Sequence, residues 1–235
     1  MYGFYLGMKD GLVRLLAEMA KVEGLEWIRL LYCYPTFLSS EMIEFIASEP
    51  KVCSYIDVPL QHTHDEMLKS MKRQETEGGV RRMLDEIRLK IPDVALRTTF
   101  ITGFPGETDE DFLETLNVIN EGQFDSVYMF KFSPRPGTKA NSMQDEYVSK
   151  SKIDSRFMEL KKIQTDISHS RLQRFIGTHQ HVLIEKYSKK TNDFLTGKID
   201  GGQTTHIKAE NVSIGDFVEV EIVDATPFAL TAVLL

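Results

Sequence analysis

At 235 residues the chain has room for one large domain, or for a medium domain and a small one. Hydrophobic residues at 42% and charged residues at 27% are an ordinary globular balance, which excludes a chain too polar to bury a core. A net charge of −7 excludes a protein coated in positive charge for nucleic acid, though not a local basic face.

In chain order, Asp10 is the expected N-cap of a helix carried by Leu12, Leu15, Leu16 and Met19, with Gly24 beyond its end. Trp27 to Tyr32 reads as a buried strand ending before Pro35. Ser39 or Ser40 caps a helix with Met42, Ile43 and Ile46, stopped by Pro50. Tyr55 to Leu60 reads as a short strand, followed by helical stretches through Met67–Met71 and Val80–Ile87. Val94 to Thr102 is rich in β-branched residues and is the third expected strand. Thr108 to Asp111 fits the S/T-x-x-D/E helix start, and Ser126 to Phe132 is the fourth strand. Strands separated by helices predict a parallel α/β sheet with right-handed crossovers. Four strands do not close a barrel, so the sheet is either small and open or part of a larger one.

Lys150 to Ile176 reads as one long helix. From Lys150 to Arg174 it carries seven Lys/Arg against three Asp/Glu, a run expected to be a solvated face unless it meets phosphate or an acidic surface. After Gly177 short strands follow at His181–Ile184, Phe194–Lys198, Thr204–Ile207 and Phe217–Val223, broken by Gly, Asn and Asp. They predict a small all-β barrel of OB-like size.

The chain contains two cysteines, Cys33 and Cys53, with no CxxC spacing. Two thiols do not complete a four-ligand iron–sulfur set. No apolar run approaches the roughly 20 residues that span a bilayer, and no signal-peptide pattern follows Met1. A cytoplasmic protein with no membrane partner is the expectation.

Three segments carry a resemblance. They are Tyr55-Ile56-Asp57-Val58-Pro59-Leu60-Gln61-His62 with Leu68 to Arg73 behind it, Leu96 to Phe112 around Gly103-Phe104-Pro105-Gly106-Glu107, and Phe130 to Thr138. In this order they resemble the radical S-adenosylmethionine (SAM) methylthiotransferases of the RimO and MiaB type. Trp27–Tyr32, Gln61-His62 and Arg97–Phe100 look more like the RimO branch, which modifies an aspartate of a small-subunit ribosomal protein. Ser133–Thr138 is closer to the MiaB branch, which modifies a tRNA adenosine. His64 stands where the family usually has Ser; Thr63 or Asp65 is expected to cap in its place.

The resemblance implies residues 1–149 as the C-terminal part of a radical SAM barrel of TIM type, 150–177 as a linker helix and 178–235 as a TRAM domain. The chain would be the C-terminal two-thirds of such an enzyme. Tyr2-Gly3 resembles the loop after the second barrel strand. The implied cofactors are SAM and [4Fe–4S] clusters, whose cysteine ligands would lie upstream of this chain. In the family the cluster cleaves SAM to a 5′-deoxyadenosyl radical, which removes hydrogen from an unactivated substrate carbon. The chain alone is therefore expected to be inactive, completed by a separate cysteine-bearing half or left as a TRAM binding module.

For the site, the turn Gly103, Phe104, Pro105, Gly106, Glu107 leaves a strand and opens a helix, at the edge where α/β proteins place ligands. The family places it against the SAM adenosine; the alternative is a tight turn needing glycine only for positive φ. Arg97 either grips the SAM carboxylate or pairs with an acid such as Asp57. Gln61 bonds ligand or a neighbouring strand. His62 is either a substrate-side contact or a satisfied structural group, with no metal role. Arg135, between two prolines, borders the cavity or is solvated. Residues 178–235 carry five Lys and eight Asp/Glu, a net of −3. That repels tRNA phosphate and attracts a basic ribosomal protein.

Overall fold

The structure is a computed structural model that describes residues 7–188, 194–208 and 211–235, so the Tyr2-Gly3 segment lies outside the described residues. The chain forms two compact units, Met1–Gln164 and Thr165–Leu235.

The first unit is a partial (βα) barrel. Its helices are α1 (Gly11–Ala20), α2 (Ser40–Ser48), α3 (Asp65–Ser70), α4 (Glu77–Lys90), α5 (Asp109–Gly122) and the first part of α6 (Lys150–Gln173). Three parallel strands alternate with them: β1 (Tyr55–Asp57), β2 (Ala95–Thr102) and β3 (Ser126–Lys131), in the order β1-β2-β3.

The expected strand at Trp27–Tyr32 is not one. Ile28 makes a single parallel bridge to Val52. Tyr32 then adopts φ 58, a left-handed conformation that no strand sustains. The amides of Tyr32 and Cys33 turn instead onto Asp57, one to its carboxylate and one to its carbonyl. Leu31 and Tyr32 are exposed rather than buried.

Caps follow the sequence with two exceptions. Ser39 accepts the Met42 amide at 3.2 Å. Thr108 and Asp111 form a reciprocal capping box at the start of α5. Asp10, however, sits at φ 54 and makes no side-chain cap. At α3 neither Thr63 nor Asp65 caps: the helix has no side-chain cap, and Asp65 Oδ1 accepts the Glu77 amide across the following turn.

The sheet has two unlike faces. Ile56, Leu96, Phe100 and Val127 are buried, with Phe100 edge-on to Phe124 at 6.2 Å. Burying such side chains contributes about 1.5–3 kcal/mol each. The other face carries Asp57, Arg97, Thr99, Tyr128 and Phe130, because parallel register sets Asp57 beside Arg97 and Thr99 beside Tyr128. Beyond Asp57 the chain still follows β2: Val58 N donates to Arg97 O, and Gln61 N to Thr99 O. Thr98 Oγ1 donates to Val58 O at 2.8 Å and fastens the two together.

The second unit is a closed barrel of β4 (His179–Tyr187), β5 (Phe194–Lys198), β6 (Thr204–Lys208), β7 (Phe217–Ala225) and β8 (Leu230–Leu234), in the order β4-β5-β6-β8-β7. Val182, Ile184, Leu195, Ile207, Val220, Ile222 and Leu230 fill it. The last strand, β8, is absent from the sequence reading, although Leu230 and Ala232 alternate inward as a half-buried strand requires.

Gly197 faces Ile184 across β4–β5, next to a register shift. A Cβ there would lie 2.3 Å from Leu183 O and 2.5 Å from Val182 Cγ1. Neither the backbone oxygen nor the packed side chain can move freely in a closed barrel. Gly197→Ala is expected to destabilise the barrel by about 1–3 kcal/mol, measured by chemical denaturation. An unchanged midpoint would show that the strands separate without cost.

Candidate functional site

The open face of the sheet is organised by a buried acid. Asp57 is fully buried. Its Oδ1 accepts Arg97 Nε at 3.1 Å, and its Oδ2 accepts Arg97 Nη2 at 2.9 Å and the Tyr32 amide at 3.0 Å. A carboxylate removed from water is tolerated only with such pairing, and the fork of Arg97 meets it edge to edge. Tyr128 and Tyr32 flank the guanidinium, with ring centroids at 4.2 Å and 5.5 Å. This stacking adds cation–π attraction and fixes both rings.

Above this floor lies an open cleft of about 420 Å³, lined by Tyr32, Pro59, Gln61, Thr99, Tyr128 and Phe130. Gln61 reaches it from a left-handed turn at φ 70 beyond β1, a conformation rare outside glycine. Tyr128 and Phe130 are exposed. The cleft therefore offers aromatic faces and one side-chain amide, with the Arg97 guanidinium packed against two of its lining rings. That set suits a flat, polar ligand carrying a carboxylate.

The Gly103–Glu107 turn stands at the end of β2, and its side chains point inward. Phe104 is buried edge-on against Phe132 at 5.4 Å, and Pro105 is buried. Gly103 has φ +77, and a Cβ there would lie 2.3 Å from Ile153 Cγ1 on α6. Gly106 has φ +84 and donates its amide to Glu146 O at 2.9 Å. The glycines thus answer two internal demands, positive φ and close packing.

Glu107 is likewise turned in. Its Oε2 accepts the Gly103 amide at 2.7 Å and Arg156 Nη1 at 2.6 Å, and its Oε1 lies 3.3 Å from His62 Nε2. Its carboxylate is engaged by these three internal partners.

His62 is turned in as well. It is fully buried, and its Nδ1 accepts the amides of Thr63 and His64 at 2.9 Å and 3.1 Å. Those bonds place the proton on Nε2, facing Glu107. No part of the ring is left for a substrate, so His62 is a satisfied structural group. Arg135 is exposed on a turn in which its carbonyl accepts Thr138 N and Oγ1, with Gly137 at φ +81. It does not line the cleft.

The structure therefore places Gln61 on the cleft, Arg97 against its lining rings Tyr32 and Tyr128, and His62 and Glu107 in a separate buried network. Sequence reasoning named Asp57 only as an alternative partner and did not name Tyr32, Tyr128, Phe130 or Arg156. The available signals were an acid inside an apolar strand and the outward alternation of Tyr128 and Phe130.

Neither cysteine forms a disulfide, and Cys53 is buried. Among the described residues no group of three His, Cys, Asp or Glu side chains is placed to hold a metal ion. No helix of the described residues is long and apolar enough to cross a membrane.

With this geometry in hand, the comparisons with known proteins define the class. Residues 5–119 match the Radical SAM superfamily and residues 173–235 the TRAM domain. The coproporphyrinogen III oxidase HemN of Escherichia coli shares the fold at a TM-score of 0.51 and 18% identity, covering 66% of this chain and 36% of that one. The chain is a partial radical SAM barrel followed by a TRAM domain.

In sequence it is RimO-like. The ribosomal protein uS12 methylthiotransferase RimO of Geobacter sulfurreducens is 41% identical over 236 residues, 97% of this chain and 52% of the relative. The same-named protein of Geotalea uraniireducens is 39% identical over the same shares. The chain thus spans about half the length of these curated relatives, less than the two-thirds expected from its motifs.

Cys33 provides a test of the packing around Asp57. Burial first, and the Asp57 charge second, push its thiol up to about 11. The folded chain holds this proton more tightly than the unfolded one. Stability therefore declines as pH rises from the ordinary thiol range toward 11. At pH 8, alkylation of Cys33 is expected to be on the order of a hundredfold slower than in the urea-unfolded chain. Equal rates, read by mass spectrometry, would show that the thiol is not enclosed as described.

Proposed function

We propose that this chain is the SAM-facing and substrate-facing portion of a RimO-like methylthiotransferase, and that it does not hold an iron–sulfur cluster by itself. The observation that carries the reading is the similarity to RimO over nearly the whole chain, joined to a cleft that opens on the sheet face built by Asp57, Arg97 and Gln61. SAM, when bound, supplies an activated methyl and a carbon–sulfur bond that an iron–sulfur cluster can cleave reductively.

Arg97 presents a guanidinium whose Nε and Nη2 are held by Asp57, leaving the rest of the fork for a ligand carboxylate. Tyr128 and Tyr32 hold that planar fork in place and screen it from water. Gln61 offers an amide for a polar edge of the ligand, and Phe130 an apolar wall. The Gly103–Glu107 turn contributes backbone and shape rather than the Glu107 carboxylate. Arg135, exposed on its turn, is placed to meet a substrate arriving from solvent.

The two cysteines do not fit a cluster, which needs at least three thiolates from one polypeptide in this family. The natural completion is a cysteine-bearing partner segment. After anaerobic reconstitution with iron and sulfide, the chain is expected to carry no stoichiometric cluster and to form no 5′-deoxyadenosine. S-adenosylhomocysteine is expected to bind, with Arg97→Met weakening it about tenfold or more. A full complement of iron with deoxyadenosine formation would overturn the first claim, and unchanged affinity in Arg97→Met the second.

For the partner, residues 178–235 have a net charge of −3, and Glu219 and Asp224 face outward on β7. An acidic barrel favours a basic protein such as uS12 over tRNA. The chain is expected to bind uS12 with an affinity that falls as salt rises, and tRNA weakly at every salt concentration. Tight tRNA binding with a steep salt slope would instead support a tRNA-modifying enzyme.

A further inference from the structure

The charge pattern of α6 sets its basic residues toward water, yet Arg156 is only 3% exposed. Its Nη1 donates to Glu107 Oε2 at 2.6 Å and to Glu107 O at 3.1 Å, and its Nη2 donates to Asp109 Oδ1 at 2.7 Å. The Phe112 ring centroid lies 5.4 Å from the guanidinium. Leu160 and Gln164, one and two turns further along, are buried on the same stripe, and Gln164 Nε2 donates to Phe124 O at 2.8 Å. An arginine, a leucine and a glutamine at i, i+4 and i+8 therefore hold this face of α6 against the sheet unit.

The carboxylate that Arg156 neutralises has two further donors. Glu107 takes the Gly103 amide from the end of β2 and faces His62 Nε2 from the chain beyond β1. His62 directly follows Gln61, which lines the cleft. His62 is in turn fixed by the two amides on its Nδ1. A carboxylate enclosed with several donors ties together the segments that supply them, and losing its paired cation leaves a buried charge uncompensated.

We propose that Arg156 is a positioning residue for the cleft. By bridging the side chain and carbonyl of Glu107, it locks the ends of β1 and β2 together and so sets the left-handed turn that carries Gln61. This rests on the reading of the cleft as a site for an adenosine-bearing ligand.

Amide hydrogen exchange of the full chain, followed peptide by peptide, tests the lock. In Arg156→Gln, exchange in the segments 61–64 and 103–107 is expected to accelerate about tenfold or more, while the strands of the C-terminal barrel keep their protection. Arg156→Lys, which retains the charge, restores part of that protection. If Arg156→Gln does not fold, the pair Glu107→Gln with Arg156→Gln leaves no unpaired buried charge and is read in the same way. Unchanged protection of both segments in a folded variant overturns the lock.

S-adenosylhomocysteine binding, measured calorimetrically on the same proteins, separates the two layers. Looser segments with weaker binding support the positioning role. Looser segments with undiminished binding overturn it. Absence of binding to the unmodified chain would remove the adenosine reading, and the exchange result would still decide the lock.

Discussion

A fully buried aspartate sits under the candidate site, and much of the local structure follows from the need to satisfy it. Asp57 has no access to water, so every lone pair it keeps must be met from within. Arg97 meets it with two nitrogens, and the Tyr32 amide meets it with a third donor. That last bond takes Tyr32 out of the extended conformation, ends the strand-like course that began at Ile28, and brings an aromatic ring over the guanidinium. The cleft floor and the interruption of the Trp27–Tyr32 segment are therefore one event.

A second buried carboxylate, Glu107, lies at the C-terminal edge of the same sheet. The two acids divide the work. Asp57 and Arg97 shape the face that a ligand can reach. Glu107, His62 and Arg156 hold the loops that rim it. Isolated ion pairs on a surface contribute little to stability. These two are enclosed, so losing one member leaves a charge stranded, which is far more costly than the pair was beneficial. Such enclosed pairs constrain geometry more than they add stability, and a ligand site benefits from that rigidity.

The barrel answers to different physics. Its fully buried hydrophobic residues are aliphatic, and closure removes the open edges that the three-stranded sheet retains among the described residues. Gly197 permits that closure by leaving room for the neighbouring backbone. Thr196, Gln203 and Thr205 are the barrel's buried polar side chains among the described residues, and over residues 178–235 acidic residues outnumber lysines.

Much of this was legible in the residues alone, because it is local. Period-3.6 runs marked the helices, the Thr108–Asp111 box marked the start of α5, a β-branched run marked β2, and Ser126–Phe132 marked β3. The change from helix to short strands after residue 177 marked the barrel. Ordered motifs pointed to the family. Residues whose role is set by a partner distant in the chain were not legible. Asp57 meets Arg97 forty positions away, and Arg156 meets Glu107 forty-nine away. Nothing in the surroundings of His62 shows that its ring turns inward, or in those of Arg156 that a helical arginine is buried. Local pattern decides which segments become helix or strand, since backbone propensity and the spacing of apolar side chains act over a few residues. Which polar groups are enclosed, and whether a charged residue faces ligand, partner or another side chain, depends on how those elements stack, and only the tertiary structure decides it.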